Sequence, residues 1–163
     1  MWVGVAGASP GWLGPWAGEY RLDVSSRVAR ERAADAVQRA RGNLGGFVGA
    51  KAAETALVQT RAARVLHLAT DQDRLRVELD GWQTAGPPNG MVETVRGPKG
   101  EPMEMTLRFE PGALLQRFRR GAWERTHRFR RRDGGGIVLE VQIRDPRFGR
   151  PISFELPYRR AED

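Results

Sequence analysis

Arg125 and His127 stand two residues apart in the stretch Trp123-Glu124-Arg125-Thr126-His127-Arg128-Phe129. Alternation with period two is the mark of a strand, whose successive side chains point to opposite faces. Trp123, Arg125, His127 and Phe129 therefore share one face. With a tight turn at Arg120-Gly121, the preceding strand sets Gln116 directly across from Arg125. A guanidinium taken out of water is costly unless an anion or several acceptors meet it, and its planar fork fits a carboxylate or phosphate through two bonds. Arg125, His127 and Gln116, with Tyr158 from a later strand, are thus the candidate residues for a ligand's acidic head group. Two bland alternatives stand beside this reading. A slip of one residue turns Ala122, Glu124, Thr126 and Arg128 inward instead, and a place near a wet mouth leaves Arg125 hydrated.

The same alternation supplies an apolar surround: Met103, Met105, Leu107, Phe109, Phe118, Trp123, Phe129, Ile137, Leu139, Val141 and Phe154 fall on one face and form the expected cavity wall. Unbranched, polarizable Met suits an acyl chain or a flat hydrophobe, although such a stripe is also what a filled core looks like. Other chemistry is weakly represented. Ser25 and Ser26 read as helix caps, Ser153 points outward, and His67 faces away from its apolar neighbours. Neither His has a carboxylate at a recognised spacing, and no phosphate-binding, dinucleotide or G-x-S-x-G pattern occurs. The chain contains no Cys, which removes thiolate metal sites and a thiol nucleophile. The expectation is no metal, no cofactor and no enzymatic activity.

Elements follow from periodicity and breakers. Residues 1–15, rich in Gly, Pro and Trp, read as a flexible leader or the remnant of an export signal, which favours a periplasmic or exported location over a cytoplasmic one. Residues 16–160 then form a single domain, as 163 residues allow. A short strand at Glu19 to Asp23 precedes a helical pair at about 25–62. The first helix, capped by Ser25-Ser26 and ending near Arg41, buries Val28, Ala33, Ala36, Val37 and Ala40. Gly42-Asn43-Leu44-Gly45-Gly46 breaks it, and the second, from about Phe47 to Ala62, carries Phe47, Val48, Ala52 and Leu57.

Strands occupy the rest. Val65 to Ala69 and Leu75 to Leu79 pair with Leu68 opposite Val77 and Leu66 opposite Leu79; 85–90 is a loop, and Val92 to Arg96 a short strand. Pro111-Gly112 turns Met103 to Glu110 onto Ala113 to Arg119, opposing Phe109 with Leu114, Leu107 with Gln116, Met105 with Phe118 and, outside, Glu104 with Arg119. The turn at Arg120-Gly121 opposes Phe118 with Trp123 and Arg117 with Glu124. A three-residue Asp133-Gly134-Gly135 loop with a bulge sets Phe129 against Leu139. The last hairpin opposes Ile143 with Ile152, Val141 with Phe154, Leu139 with Leu156 and Ile137 with Tyr158. Nine or ten such strands close best into an antiparallel up-and-down barrel, because closure removes exposed edges. A membrane barrel is excluded by Arg74, Arg76, Glu104, Arg108, Arg117 and Glu124 on its outer face, and a two-sheet sandwich is the competing architecture.

The charge balance is +7, with Lys only at 51 and 99, so that 25 of the 27 basic residues are Arg. Net basicity bears on partners, not on fold. Arg117-Phe118-Arg119-Arg120 and Arg128 to Arg132 suggest a basic outer surface for nucleic acid or anionic membrane around a filled structural barrel, and this is the alternative function. Alternation works against nucleic acid, because aromatics point in where arginines point out, leaving no stacking platform.

The order strand, helix-turn-helix, long meander resembles the calycin barrels, especially the intracellular fatty-acid-binding proteins and the lipocalins. Gly14-Pro15-Trp16 is similar to the G-x-W that opens lipocalins, with Arg159 or Arg160 as the basic residue over the Trp. Gln116-Arg117-Phe118 and Tyr158-Arg159-Arg160 resemble the Q-x-F and terminal Y-R-R of uncharacterised bacterial lipocalin-like proteins. The fatty-acid-binding R-x-Y on the last strand is matched here only at Tyr158, the Arg position being Leu156. The resemblance implies a monomeric, non-enzymatic carrier for a fatty acid or other small hydrophobic or acidic amphiphilic ligand, with peripheral contact to an anionic membrane as a further option.

Overall fold

A computed structural model describes residues 13–42 and 46–162, apart from the side chains of 47 and 48. The expectations for residues 1–12, the Asn43-Leu44-Gly45 break, and Phe47 and Val48 lie outside the described residues. In chain order the elements are β1 (Gly18–Leu22), α1 (Ser26–Arg41), α2 (Gly46–Gln59), β2 (Val65–Asp71), β3 (Arg74–Leu79), β4 (Trp82–Gly86), β5 (Glu93–Arg96), β6 (Pro102–Glu110), β7 (Ala113–Arg120), β8 (Trp123–Arg131), β9 (Ile137–Arg144) and β10 (Ile152–Arg160). The strands make one antiparallel sheet in the order β4-β3-β2-β1-β10-β9-β8-β7-β6-β5. Pairing of the first strand with the last, Tyr20 opposite Arg160, curls the meander into a nearly closed barrel.

The Ser25 hydroxyl caps α1 by accepting from Val28 N at 3.2 Å, satisfying one of the amides that the first turn leaves orphaned. Ala29, Ala33, Ala36, Val37 and Ala40 are its buried face; Ala29 takes the place expected of Val28, which is half-buried. Small side chains let the helix lie close on β10, where Arg32 Nη1 reaches Glu155 O at 3.1 Å. α2 stops at Gln59, short of Ala62, and leaves Leu57 exposed.

Three expected registers hold: β2 on β3 with Leu66 opposite Leu79, β6 on β7 with Phe109 opposite Leu114, and β9 on β10 with Ile137 opposite Tyr158. The β8–β9 connection also fits, since Phe129 faces Leu139 and Arg132 N donates to Gly136 O at 2.8 Å across the Asp133-Gly134-Gly135 loop. One register is corrected. Between β7 and β8 the turn is Gly121-Ala122, so Phe118 faces Arg125 and Gln116 faces His127, while Arg120 faces Trp123 and Arg119 faces Glu124. Gly121 has φ 57°, and the first loop position of such a turn is where glycine is wanted. The correction moves the pairing by two residues, so the faces do not change. Arg117 still reaches Glu124, diagonally, at 3.7 Å.

β4 was not expected, its last residues having been assigned to a loop. Its buried positions are Thr84 and Gly86, too small to print a hydrophobic alternation. β4 and β5 are the two ends of the sheet order, and side chains span the seam between them. Arg74 binds Glu93 through both nitrogens and donates to Ala85 O at 3.0 Å, while Trp82 Nε1 donates to Arg96 O at 3.0 Å. Gly86 lies close to the inward side chains of β6: a Cβ would sit 2.9 Å from the Met105 methyl, which would have to shift.

Candidate functional site

The barrel is filled at one place and hollow at another. Leu13 and Trp16, at the start of the described chain, are buried, Leu13 completely. Trp16 stacks its ring 6.0 Å from that of Phe109, and its carbonyl accepts from Tyr20 OH at 2.8 Å. Met105, Leu107, Leu114 and Phe129 belong to the same buried core. Arg160, not Arg159, lies over this corner, with its guanidinium 6.0 Å from the Tyr20 ring and bonded to Ala17 O.

Elsewhere a cavity of ≈ 740 Å³ remains, enclosed by the β2-side connector 58–63, by residues near the ends of β3, β5 and β7, and by the inner faces of β8, β9 and β10. Of the residues expected at the wall, Met103, Phe118, Trp123, Leu139, Val141 and Phe154 line it, together with Leu156. Met105, Leu107, Phe109, Phe129 and Ile137 do not. They lie on the inward face, Met105, Leu107, Phe129 and Ile137 in the buried core and Phe109 packed against it beside Trp16. The exposed members of the lining, including Val58, Arg61, Lys99 and Arg120, mark the mouth.

Arg125 lines this cavity. It stands two residues along β8 from Trp123 at the turn, about 7 Å inside the rim at the usual strand rise. Its Nε donates to His127 Nε2 at 2.7 Å and its Nη1 to Gln59 O at 2.7 Å. Nη2 makes no hydrogen bond, and no carboxylate pairs with the guanidinium among the described residues. Burial lowers the Arg125 pKa to about 10, partly offset by Tyr158, which still leaves a cation at neutral pH.

Behind it runs a chain of bonds. His127 Nδ1 is 3.1 Å from Gln116 Oε1, Gln116 Nε2 donates to Thr84 Oγ1 at 2.9 Å, and the Thr84 hydroxyl donates to Val77 O at 3.4 Å. Since Nε2 accepts from Arg125, the network assigns the proton to Nδ1 and makes His127 neutral. Burial first, and the Arg125 charge second, push its pKa well below 6.5. His127 and Gln116 are wholly buried and do not touch the cavity; their part is to hold Arg125. Tyr158 does not line it either, its hydroxyl donating to Ala63 O at 2.7 Å, and burial raises its pKa.

Sequence reasoning missed Gln59, Thr84 and the connector 58–63. Gln59 supplies its carbonyl because α2 ends there, and the last carbonyls of a helix lack intrahelical partners. Its Oε1, and Trp123 Nε1, are buried without a hydrogen-bond partner among the described residues, so polar capacity is left over beside Arg125. His67 pairs with Glu78 on the opposite face of β2 from Leu66 and Leu68, far from this cluster in register.

No protein-family model matches the chain, and no curated protein matches it. Solved structures do. The chain is similar to REP1-NXSQ fatty acid transporter, 16% identical with a TM-score of 0.54 over 90% of this chain and 96% of that one. It is similar to a Schistosoma mansoni fatty acid binding protein in complex with arachidonic acid, at 11% identity and TM-score 0.57 over 93% and 100%. Fatty-acid-binding protein 1 of Echinococcus granulosus gives 10% identity and TM-score 0.57 over 91% and 98%. At such identities the likeness establishes the fold alone: this chain's nearly closed ten-stranded antiparallel barrel is similar to the fold of the fatty-acid-binding proteins.

Proposed function

We propose that this barrel is a non-enzymatic binding protein that carries or sequesters a small hydrophobic ligand, a fatty acid or similar acidic amphiphile. The observation that carries the reading is a largely apolar cavity of ≈ 740 Å³ with the buried guanidinium of Arg125 in its wall, paired with no carboxylate among the described residues. Burial of the ligand's tail against Leu139, Val141, Phe154 and Leu156 drives uptake, at roughly 25 cal/mol per Å² of apolar surface. Arg125 Nη2 meets the acid. His127 and Gln116 act as positioning residues that fix the guanidinium, and Tyr158 holds the connector beside it. The structural neighbours, a fatty acid transporter and a fatty acid binding protein in complex with arachidonic acid among them, support the ligand class.

The alternative, a filled barrel read through its basic outer face, fits less well. The interior is hollow, and Arg119, Arg128 and Arg130 on the outer wall are each within 4.0 Å of a carboxylate.

Calorimetric titration with dodecanoate and dodecanol, on the native protein and on Arg125→Met, tests the proposal. One saturable site is expected for both ligands. The substitution should weaken dodecanoate by about 10- to 100-fold, the range of a hydrogen bond to a charged group, and change dodecanol far less. Absence of saturable binding sinks the carrier function, and equal losses for acid and alcohol sink the anchor.

A further inference from the structure

The cavity mouth carries more positive charge than a single carboxylate needs. Arg61, Lys99 and Arg120 are exposed members of its lining, and none of their side chains makes an ion pair or hydrogen bond among the described residues. The two carboxylates at the same rim are already engaged with the main chain. Both oxygens of Asp80 accept from Arg64 N, and Oδ1 also from Val65 N, at 2.9 Å. Glu101 Oε2 accepts from Lys99 N at 2.9 Å. On the outer wall Arg108, Arg117, Arg119, Arg128, Arg130 and Arg132 each meet a carboxylate, and Arg76, Arg144 and Arg159 make no ion pair among the described residues but stand apart from this cavity.

Arg125 with its unused Nη2 lies just beneath this rim, about 7 Å along the strand from Trp123, within the span of long side chains reaching toward a shared group. A ligand whose tail fills the apolar wall therefore presents its head at the mouth, among four cations and the two carboxylates of Asp80 and Glu101, where the cations are in excess. One carboxylate satisfies Arg125 and leaves the rim cations with water alone.

We propose that the ligand's head group is dianionic, a phosphate monoester being the best match, held by Arg125 from within and by Arg61, Lys99 and Arg120 from the rim. This rests on the carrier function proposed above and narrows its ligand class. A phosphate monoester brings up to two negative charges at neutral pH and three acceptor oxygens, enough to serve Arg125 and the rim together. Arginine suits those oxygens through paired donors, and lysine through a point charge.

The test is calorimetry at pH 8 and moderate salt with dodecyl phosphate, dodecyl sulfate and dodecanoate, on the native protein and on the combined variant Arg61→Gln, Lys99→Gln, Arg120→Gln. Sulfate keeps the tetrahedral shape with one charge, so the comparison isolates the second. Dodecyl phosphate should bind about tenfold more tightly than the other two, given attraction of order 1 kcal/mol per close pair in water. In the variant that preference should vanish while dodecanoate stays within about threefold, because surface charges away from the buried contact contribute little. All three substituted residues are exposed, so folding is not at risk. Dodecylmalonate binding as tightly as the phosphate supports the dianion and assigns the preference to charge number. Equal affinity for phosphate and sulfate, or a preference that survives the variant, overturns the proposal. Dodecanoate binding without phosphate preference overturns it and spares the carrier function, whereas failure of every amphiphile removes both. Binding to phosphatidylglycerol vesicles that the variant loses, in a protein without phosphate preference, reassigns the rim to a membrane surface and likewise overturns it.

Discussion

β6 passes through both halves of the interior, and its residues meet different fates. Met103 faces the cavity, whereas Met105 and Leu107, on the same face of the same strand, are packed solid. The walls of the two halves are made of the same residue types. What differs is the plug. On one side Leu13 and Trp16 are buried in the core, and the Trp16 ring packs against Phe109; on the other the roof is the connector 58–63, which covers the space without entering it deeply enough to fill it. A barrel of this size becomes core or container according to whether some segment outside the wall supplies a ring to occupy it.

The sharpest way to break that comparison is to remove one phenyl ring from each half. Phe129 is completely buried between packed neighbours, so Phe129→Ala should leave an enclosed void and cost about 3–5 kcal/mol in chemical denaturation. Phe154 borders space that already exists, so Phe154→Ala only enlarges it; about 1–2 kcal/mol is expected, with a clear loss of affinity for dodecanoate. Equal costs would mean that the hollow half is filled in solution.

A second contrast is between the polar chain behind Arg125 and the acidic groups outside. His127 is buried, accepts from Arg125, and has its pKa pushed well below 6.5. In the unfolded chain it takes up a proton near 6.5. Between those two values the unfolded state binds more protons, so stability rises with pH there and is lost as pH falls below about 6.5. From pH 7 to pH 5 the native protein should lose more stability than His127→Gln does, by at most about 2 kcal/mol, since one unit of pKa difference is worth ~1.4 kcal/mol. Parallel stability curves for the two proteins would show that His127 is not held neutral.

Much of the fold was legible because inward residues in β6, β7, β9 and β10 are large. Phe109, Leu114, Phe118, Leu139, Val141 and Phe154 leave one workable register each once a glycine turn is located. β4 escaped because its buried positions, Thr84 and Gly86, are small and show no hydrophobic alternation. The β7–β8 turn had two solutions around Gly121 with the same faces, so the partner of Arg125 was misassigned while its inward direction was not. Parity tells in from out, but says nothing of position along the barrel. That is why Met105 and Met103 looked alike, and why Leu13, in a segment without periodicity, was assigned to the leader although it is buried, while Trp16 was placed at the barrel only through its likeness to a G-x-W opening.

Tyr158 offers the smallest and most local test of the same division. Its ring is completely buried and its hydroxyl donates to Ala63 O at 2.7 Å, so Tyr158→Phe keeps the packing and deletes one bond. A net loss of about 1 kcal/mol is expected, with the freed carbonyl lying in a half-buried stretch that water can reach. The connector is otherwise tied to the barrel by Arg125 on Gln59 O and by Asp80 on the Arg64 and Val65 amides. Losing one of these ties should raise local opening there more than global unfolding. Amide exchange should therefore quicken through Thr60 to Val65 and stay unchanged at Leu107 and Phe129. Faster exchange in both places would mean that the roof and the packed half unfold as one unit, and that the cavity is closed by the cooperative core and not by a separately held connector.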